Sequence, residues 1–201
     1  MLNLPKSTEI KKQIAKDKIL ANSNLTSAEK NIFEQNIKKL VLIHEVFAHN
    51  VNIEASDDIA GFFVLNVHLK KQDYDTKVIE KIFKLINQRL VLLLQFEEQA
   101  QLAVYHNKLF VTGWQAMEAL QLKLQGLNFN QVWQNIILQI GVLHLEQGKT
   151  LDEQILINEE RSKLEKQIAT LKKKAWAEKQ PKKKFVLSQE LKGLERKLED
   201  L

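Results

Sequence analysis

The stretch Gly61-Phe62-Phe63-Val64-Leu65-Asn66-Val67-His68-Leu69-Lys70 decides the fold. β-Branched and aromatic residues dominate it, and they suit a pleated surface better than a helix. A period of two puts Phe63, Leu65, Val67 and Leu69 on one face and Phe62, Val64, Asn66 and His68 on the other. One face is therefore buried and the second in part. Next, Asp73 or Asp75 is placed to cap a helix with the apolar stripe Val78, Ile79, Ile82, Phe83 and Ile86. The unbroken run Leu90-Val91-Leu92-Leu93-Leu94 reads as a central strand covered on both faces. Glu97-Glu98-Gln99 turns the chain into a third strand, Leu102–His106, which forms an antiparallel hairpin with it. The strand–helix–strand unit before that hairpin predicts a right-handed parallel crossover. The fold class is α+β: a small β-α-β-β sheet packed with helices.

Working outward, Thr8–Leu20 reads as a short amphipathic helix through Ile10, Ile14 and Ile19, broken at Asn22-Ser23-Asn24. Thr26 and Glu29 have the spacing of a reciprocal capping box. Phe33, Ile37, Leu40, Val41 and Phe47 then predict a helix running to about His49. Val51 and Ile53 permit a short edge strand, and Asp57-Asp58 a turn. Lys108–Leu127 is irregular, with turns at Gly113-Trp114 and Gly126-Leu127. Asn128 or Asn130 caps a helix carrying Val132, Trp133, Ile136, Ile137, Ile140 and Leu143, with Gly148 as its end.

From Thr150 the composition shifts towards charge. Ile157, Leu164, Ile168, Leu171 and Ala175 form one heptad seam, and Leu187, Leu191, Leu194, Leu198 and Leu201 another. Pro181 lies between them and cannot continue a helix, because it lacks an N–H and its ring clashes with the preceding turn. Each seam is too short to hold alone, so an antiparallel helical hairpin, a two-stranded coiled coil, is expected. The chain divides into a mixed α/β domain, 1–148, and a hairpin, 149–201.

Composition narrows the chemistry. With no cysteine among 201 residues, disulfides, zinc ribbons, cysteine nucleophiles and iron–sulfur clusters are excluded. Met1–Glu9 has no charged-then-apolar leader. The longest uncharged apolar run lies around Leu90–Gln95 and is too short to span a bilayer. A cytoplasmic protein with no membrane association is expected. No phosphate-binding GxxxxGK[ST], no GxGxxG and no HExxH is present. A metal-dependent nuclease of the restriction type needs acids beside a lysine on one strand, whereas Asn66, His68 and Lys70 occupy that row here. Asp57 and Asp58 read as turn residues. His44 and His49, five apart on the expected helix, lack the spacing of a metal pair, and His144 sits on an apolar helix face. No cofactor, no metal and no catalytic residue are expected.

The net charge is +5, and its distribution matters more than its size. Lys172-Lys173-Lys174-Ala175-Trp176-Ala177-Glu178-Lys179-Gln180-Pro181-Lys182-Lys183-Lys184 holds seven lysines against one acid. Clustered at a hairpin tip, they make a focused positive field suited to phosphate or to an acidic protein, and Trp176 is placed to stack on a base or anchor in a partner. The alternative is a solvated coiled-coil tip with Trp176 covering the seam. A second polar group, Tyr105, His106 and Lys108, closes the third strand. It reads as a general acid–base pair with a lysine to hold an anion, as a docking surface, or as polar groups ending the sheet, and the last is favoured because no nucleophile or carboxylate is near in sequence.

Several segments together resemble a known family. Leu4-Pro5-Lys6-Ser7-Thr8-Glu9, Val104-Tyr105-His106-Asn107-Lys108-Leu109-Phe110 and Leu122-Lys123-Leu124-Gln125-Gly126-Leu127-Asn128 carry the resemblance. Gln139-Ile140-Gly141, Leu151-Asp152-Glu153-Gln154-Ile155 and Ala177-Glu178-Lys179-Gln180-Pro181 continue it. The chain is similar to a bacterial family defined only as a domain of unknown function. Genes of that family lie beside a helicase and a DNA methyltransferase in loci resembling type III restriction or phage-defence systems. The resemblance implies a small accessory subunit and assigns no catalytic residue. Pro5, Lys6, Ser7 and Thr8 form a docking arm or a cap on the first helix. The expected function is that of a non-enzymatic interaction subunit, with a helicase or methyltransferase as partner and DNA at the tip. A cryptic nuclease and a structural homodimer are the alternatives.

Overall fold

The computed structural model describes residues 2–21 and 25–201, with the backbone alone of Lys18. The break expected at Asn22-Ser23-Asn24 lies outside the described residues. The chain forms two units, Met1–Val142 and Leu143–Leu201.

In the first unit the sequence does not begin with a helix. Glu9–Ile14 is a strand, β1, and only Lys16–Ala21 is helical, α1. β1 is an edge strand with most residues exposed, so it lacks the apolar alternation that would have marked it. The capping box at Thr26 and Glu29 opens helix α2, Ser27–Asn36. The helix expected to reach His49 stops there, and Ile37–Phe47 is a long strand, β2. Asn36 explains the stop. Its side-chain amide donates to the Ile32 carbonyl, its own carbonyl accepts from the Lys70 N–H, and its Oδ1 accepts from the Asp75 N–H. The last two of these bonds lead out of the helix, to the segment from Lys70 to Asp75. Phe33, Ile37 and Leu40 bury in one core all the same, the first from the helix and the others from the strand.

Gly61–Leu69 is strand β3, Thr76–Leu85 helix α3 with Asp75 as its cap, and Leu90–Phe96 strand β4. β3 and β4 pair in parallel, Asn66 opposite Leu93, as a crossover requires. Gln99–His106 is strand β5, antiparallel to β4, and Leu90–Leu94 is buried throughout. The sheet is larger than a three-strand β-α-β-β core. β1, β2, a strand β6 at Lys108–Val111 and a short β7 at Gln115–Ala116 extend it to seven strands. The order is β1-β2-β3-β4-β5-β6, with β7 also on β5. Val51 and Ile53 form no strand, and only Glu54 bridges to Asn128.

Two apolar layers cover the sheet. Phe33 of α2 and Val78, Ile79 and Ile82 of α3 pack with Leu65, Val67, Leu92 and Leu94. At the other face, Phe129–Gly141 forms helix α4, capped by Asn128, and its Trp133 ring lies 5.7 Å from that of Phe62. Gly148 does not end α4. Val142 does, in the left-handed region at φ 51°, while Gly148 (φ 84°) turns the chain ahead of the next helix. His144 is accordingly exposed beyond the helix, and His44 and His49 lie on β2 and in the turn after it.

In the second unit, Leu151–Ala177 is helix α5 and Pro181–Glu199 helix α6. They pack as an antiparallel hairpin, with Lys172 paired to Glu195 at 2.8 Å. Leu164, Ile168 and Ala175 of the expected seam are buried, whereas Leu187, Leu191, Leu194 and Leu198 are half-buried. Pro181 stands at the first position of α6, where its missing N–H is not needed. No described helix is long and apolar enough to cross a membrane.

Candidate nucleic-acid interface

The tip of the hairpin gathers the lysine run at two unlike helix ends. Lys172, Lys173 and Lys174 lie in the last turns of α5, where the backbone carbonyls point outward and a cation is favoured. Lys182, Lys183 and Lys184 lie in the first turn of α6, where the exposed N–H groups already supply partial positive charge. That turn holds no acid, and Gln180 at the cap offers no side-chain hydrogen bond. The first intrahelical bond there runs from the Lys184 N–H to the Gln180 carbonyl. The amides before it point out of the helix end among three ammonium groups. Such an end attracts an anion, because phosphate oxygens satisfy the amides and offset the charge together.

Trp176 is 87% exposed, so it does not cover the seam. Phe185 and Val186, also exposed, add apolar surface at the start of α6. Neither was singled out by the heptad pattern; the signal was a bulky pair out of phase with Leu187 and directly after three lysines. Lys172 is engaged with Glu195. Among the described residues no carboxylate forms an ion pair with Lys182, Lys183 or Lys184. Lys179 lies in the short link between the helices, where Glu178 accepts from the Gln180 N–H.

The other residues singled out lie in the first unit and do different work. Pro5 precedes a short 3-10 turn, Lys6–Thr8. Ser7 Oγ donates to the Asn50 carbonyl, and Thr8 Oγ1 donates to the Pro5 carbonyl and lies 2.9 Å from His44 Nδ1. The segment is tied to β2 and the turn after it, so it caps no helix. Tyr105 packs its ring 5.9 Å from Phe83. His106 pairs with Lys108 across the tight turn at Asn107, and the Lys108 ammonium lies 5.0 Å from the centre of the Phe110 ring.

Asn66, His68 and Lys70 lie along β3 and at its end. Asn66 is buried and donates to Gln95 Oε1 at 2.9 Å. Burial, then the Lys39 and Lys38 ammoniums, push His68 down to about 4. It is neutral near pH 7. Among the described residues no group of three His, Asp or Glu side chains is placed to hold a metal.

A family described as a domain of unknown function, DUF4391, matches residues 2–198. The chain belongs to the DUF4391 family. No curated protein and no solved structure matches it. The DUF4391 match spans both units, so hairpin and sheet are parts of one family architecture.

Proposed function

We propose that this DUF4391 chain is a non-enzymatic accessory subunit that holds the phosphate backbone of nucleic acid at the tip of its hairpin. The observation that carries the reading is the first turn of α6: three lysines and no acid within the turn, at a helix end with no side-chain cap, with an exposed tryptophan at the same tip. Lysine ammoniums act as point charges and do not read base edges as bidentate arginines do. The contact is therefore independent of sequence. Trp176 adds stacking on unpaired bases. A non-catalytic role is supported by the Asn66–Gln95 and His68 arrangement, which uses those polar groups inside the sheet.

The assembly it serves is, in this reading, a cytoplasmic bacterial DNA-processing complex of the restriction-modification or anti-phage defence kind, with a helicase or DNA methyltransferase as the large subunit. The resemblance to a family encoded beside such genes supports this choice. Two measurements test it together. Purified protein should bind duplex DNA and neither cleave it nor hydrolyse ATP with Mg²⁺ or Mn²⁺. Affinity purification at native expression level should recover an ATP-dependent DNA enzyme. DNA cleavage lost in His68→Ala or Lys70→Ala overturns the accessory reading.

A further inference from the structure

The two helices of the hairpin leave their seam half open. No described residue of α6 is buried. Along one side of the pair run two cavities of about 620 Å³ each that share Lys174. Leu171, Thr170 and Leu194 line the first, and Ala177, Val186 and Leu187 the second. Together they form a groove with an apolar floor that follows the helix axes. Its rim carries Lys166, Lys174, Lys182, Lys183 and Lys197 against Glu178 and Glu190. Trp176 does not line it.

Gly193 gives the groove a second signature. It sits inside α6, where glycine costs about 1 kcal/mol relative to alanine. A Cβ built there meets nothing within 4 Å. Packing within the chain therefore does not require the small residue, and its absence of a side chain leaves the groove open at this point.

We infer that this groove receives one amphipathic helix of a partner protein, its apolar stripe on Leu171, Leu194 and Leu187 and its flanks acidic. Shape and charge argue for that occupant together. A third helix buries the half-open leucines, as in a three-helix bundle, and helices bind apolar grooves in this way. Carboxylates beside its stripe meet five lysines. A second copy placed symmetrically brings the same lysine rim against itself, a like-charge contact that disfavours it. Nucleic acid has no use for the apolar floor. The inference does not rest on the nucleic-acid reading: Lys174, Lys182 and Lys183 are common to both surfaces, whereas the apolar floor, Lys166 and Lys197 belong to the groove alone and Trp176 stays outside it.

The test uses the full chain and a labelled synthetic peptide of about three heptads, long enough at ~1.5 Å per residue to run from Lys166 to Ala177. The peptide has leucine at the seam positions and glutamate beside them. One control has lysine at the flanks, and another has the glutamate peptide's composition with the stripe scrambled. Fluorescence anisotropy should show the glutamate peptide binding at least about tenfold tighter than either control. Gly193→Phe, which fills the groove from an open position, should weaken it by about tenfold or more. Thermal unfolding should come no lower than in the parent, since glycine is the weaker helix former, and the salt dependence of duplex DNA binding should stay as in the parent. Lys166→Glu with Lys197→Glu should shift preference towards the lysine-flanked peptide. Equal binding of the scrambled peptide, or parental binding by Gly193→Phe, overturns the inference. So does weaker DNA binding by Gly193→Phe, which would assign the groove to nucleic acid. A parent that sediments as a dimer and a Gly193→Phe variant that does not would assign it to a second copy.

Discussion

The Thr8 hydroxyl lies 2.9 Å from Nδ1 of His44, and both residues are buried. Thr8 spends its proton on the Pro5 carbonyl. It can then only accept at His44, which fixes the imidazole as the Nδ1–H tautomer. The contact fastens the Pro5–Thr8 turn to β2 and sets where the edge strand β1 begins. Thr8→Val leaves the buried Nδ1–H of His44 without a partner, while the Pro5 carbonyl keeps its bond from the Thr8 N–H. The substitution should cost about 1–3 kcal/mol, read as a lower urea midpoint, with β1 the first segment to lose amide-exchange protection. An unchanged midpoint would show that the turn is held by other contacts.

The same burial holds the His44 pKa below its ordinary value, opposed by the nearby Glu9 carboxylate. His68 is held down to about 4 by burial and by Lys39 and Lys38. Both folded-state pKa values are depressed, so the unfolded chain binds more protons. The stability they contribute is full above about pH 6.5, the unfolded value, and is lost as pH falls through the folded values. Urea midpoints should drop between pH 6.5 and 4. His68→Gln should flatten the lower part of that curve. A parental midpoint flat over this window would contradict the assignment of neutral imidazoles.

The core of the sheet was legible because Gly61–Lys70 and Leu90–Leu94 carry unambiguous β patterns. β2 was not, because Phe33, Ile37, Leu40 and Val41 fall at helical spacing although a helix and a strand share them. The stop signal was Asn36, whose role depends on Lys70 and Asp75, far away in sequence. β1 is too exposed to show a pattern at all. At the tip, the lysine run and Trp176 could be read directly. The unequal worth of the two lysine triplets could not, since it follows from which helix end each one occupies. The groove and the open space at Gly193 are properties of packing, not of spacing.

Two glycines should respond in opposite ways to the same change. A Cβ at Gly61 would lie 2.3 Å from the Val46 carbonyl oxygen and 2.5 Å from the Phe47 ring. The carbonyl belongs to the β2–β3 pairing and cannot give way cheaply. Gly61→Ala should destabilise by about 1–3 kcal/mol, the usual range for overpacking. Gly193→Ala meets open space in a helix interior and should stabilise by about 0.5–1 kcal/mol. Urea titration of the two variants side by side checks both signs.

Gln180 separates stability from binding at the tip. Gln180→Asp supplies the missing cap and an acid at the start of α6, worth about 1 kcal/mol to the helix. The same carboxylate occupies the amides and repels phosphate. The variant should unfold at higher temperature and bind DNA more weakly. Stronger helix and unchanged DNA affinity together would show that the α6 end is not the contact.

The most direct measurement of the central claim is duplex DNA affinity as a function of salt. With about four to six lysines on phosphates, log affinity should fall against log salt with a slope near −4 to −5. Changing Lys182, Lys183 and Lys184 to glutamine should reduce that slope by about two to three while leaving thermal stability as it was or higher. Trp176→Ala should weaken single strands more than duplexes. If the triple variant binds DNA with the parental affinity and slope, the tip is a solvated turn and the nucleic-acid reading is wrong.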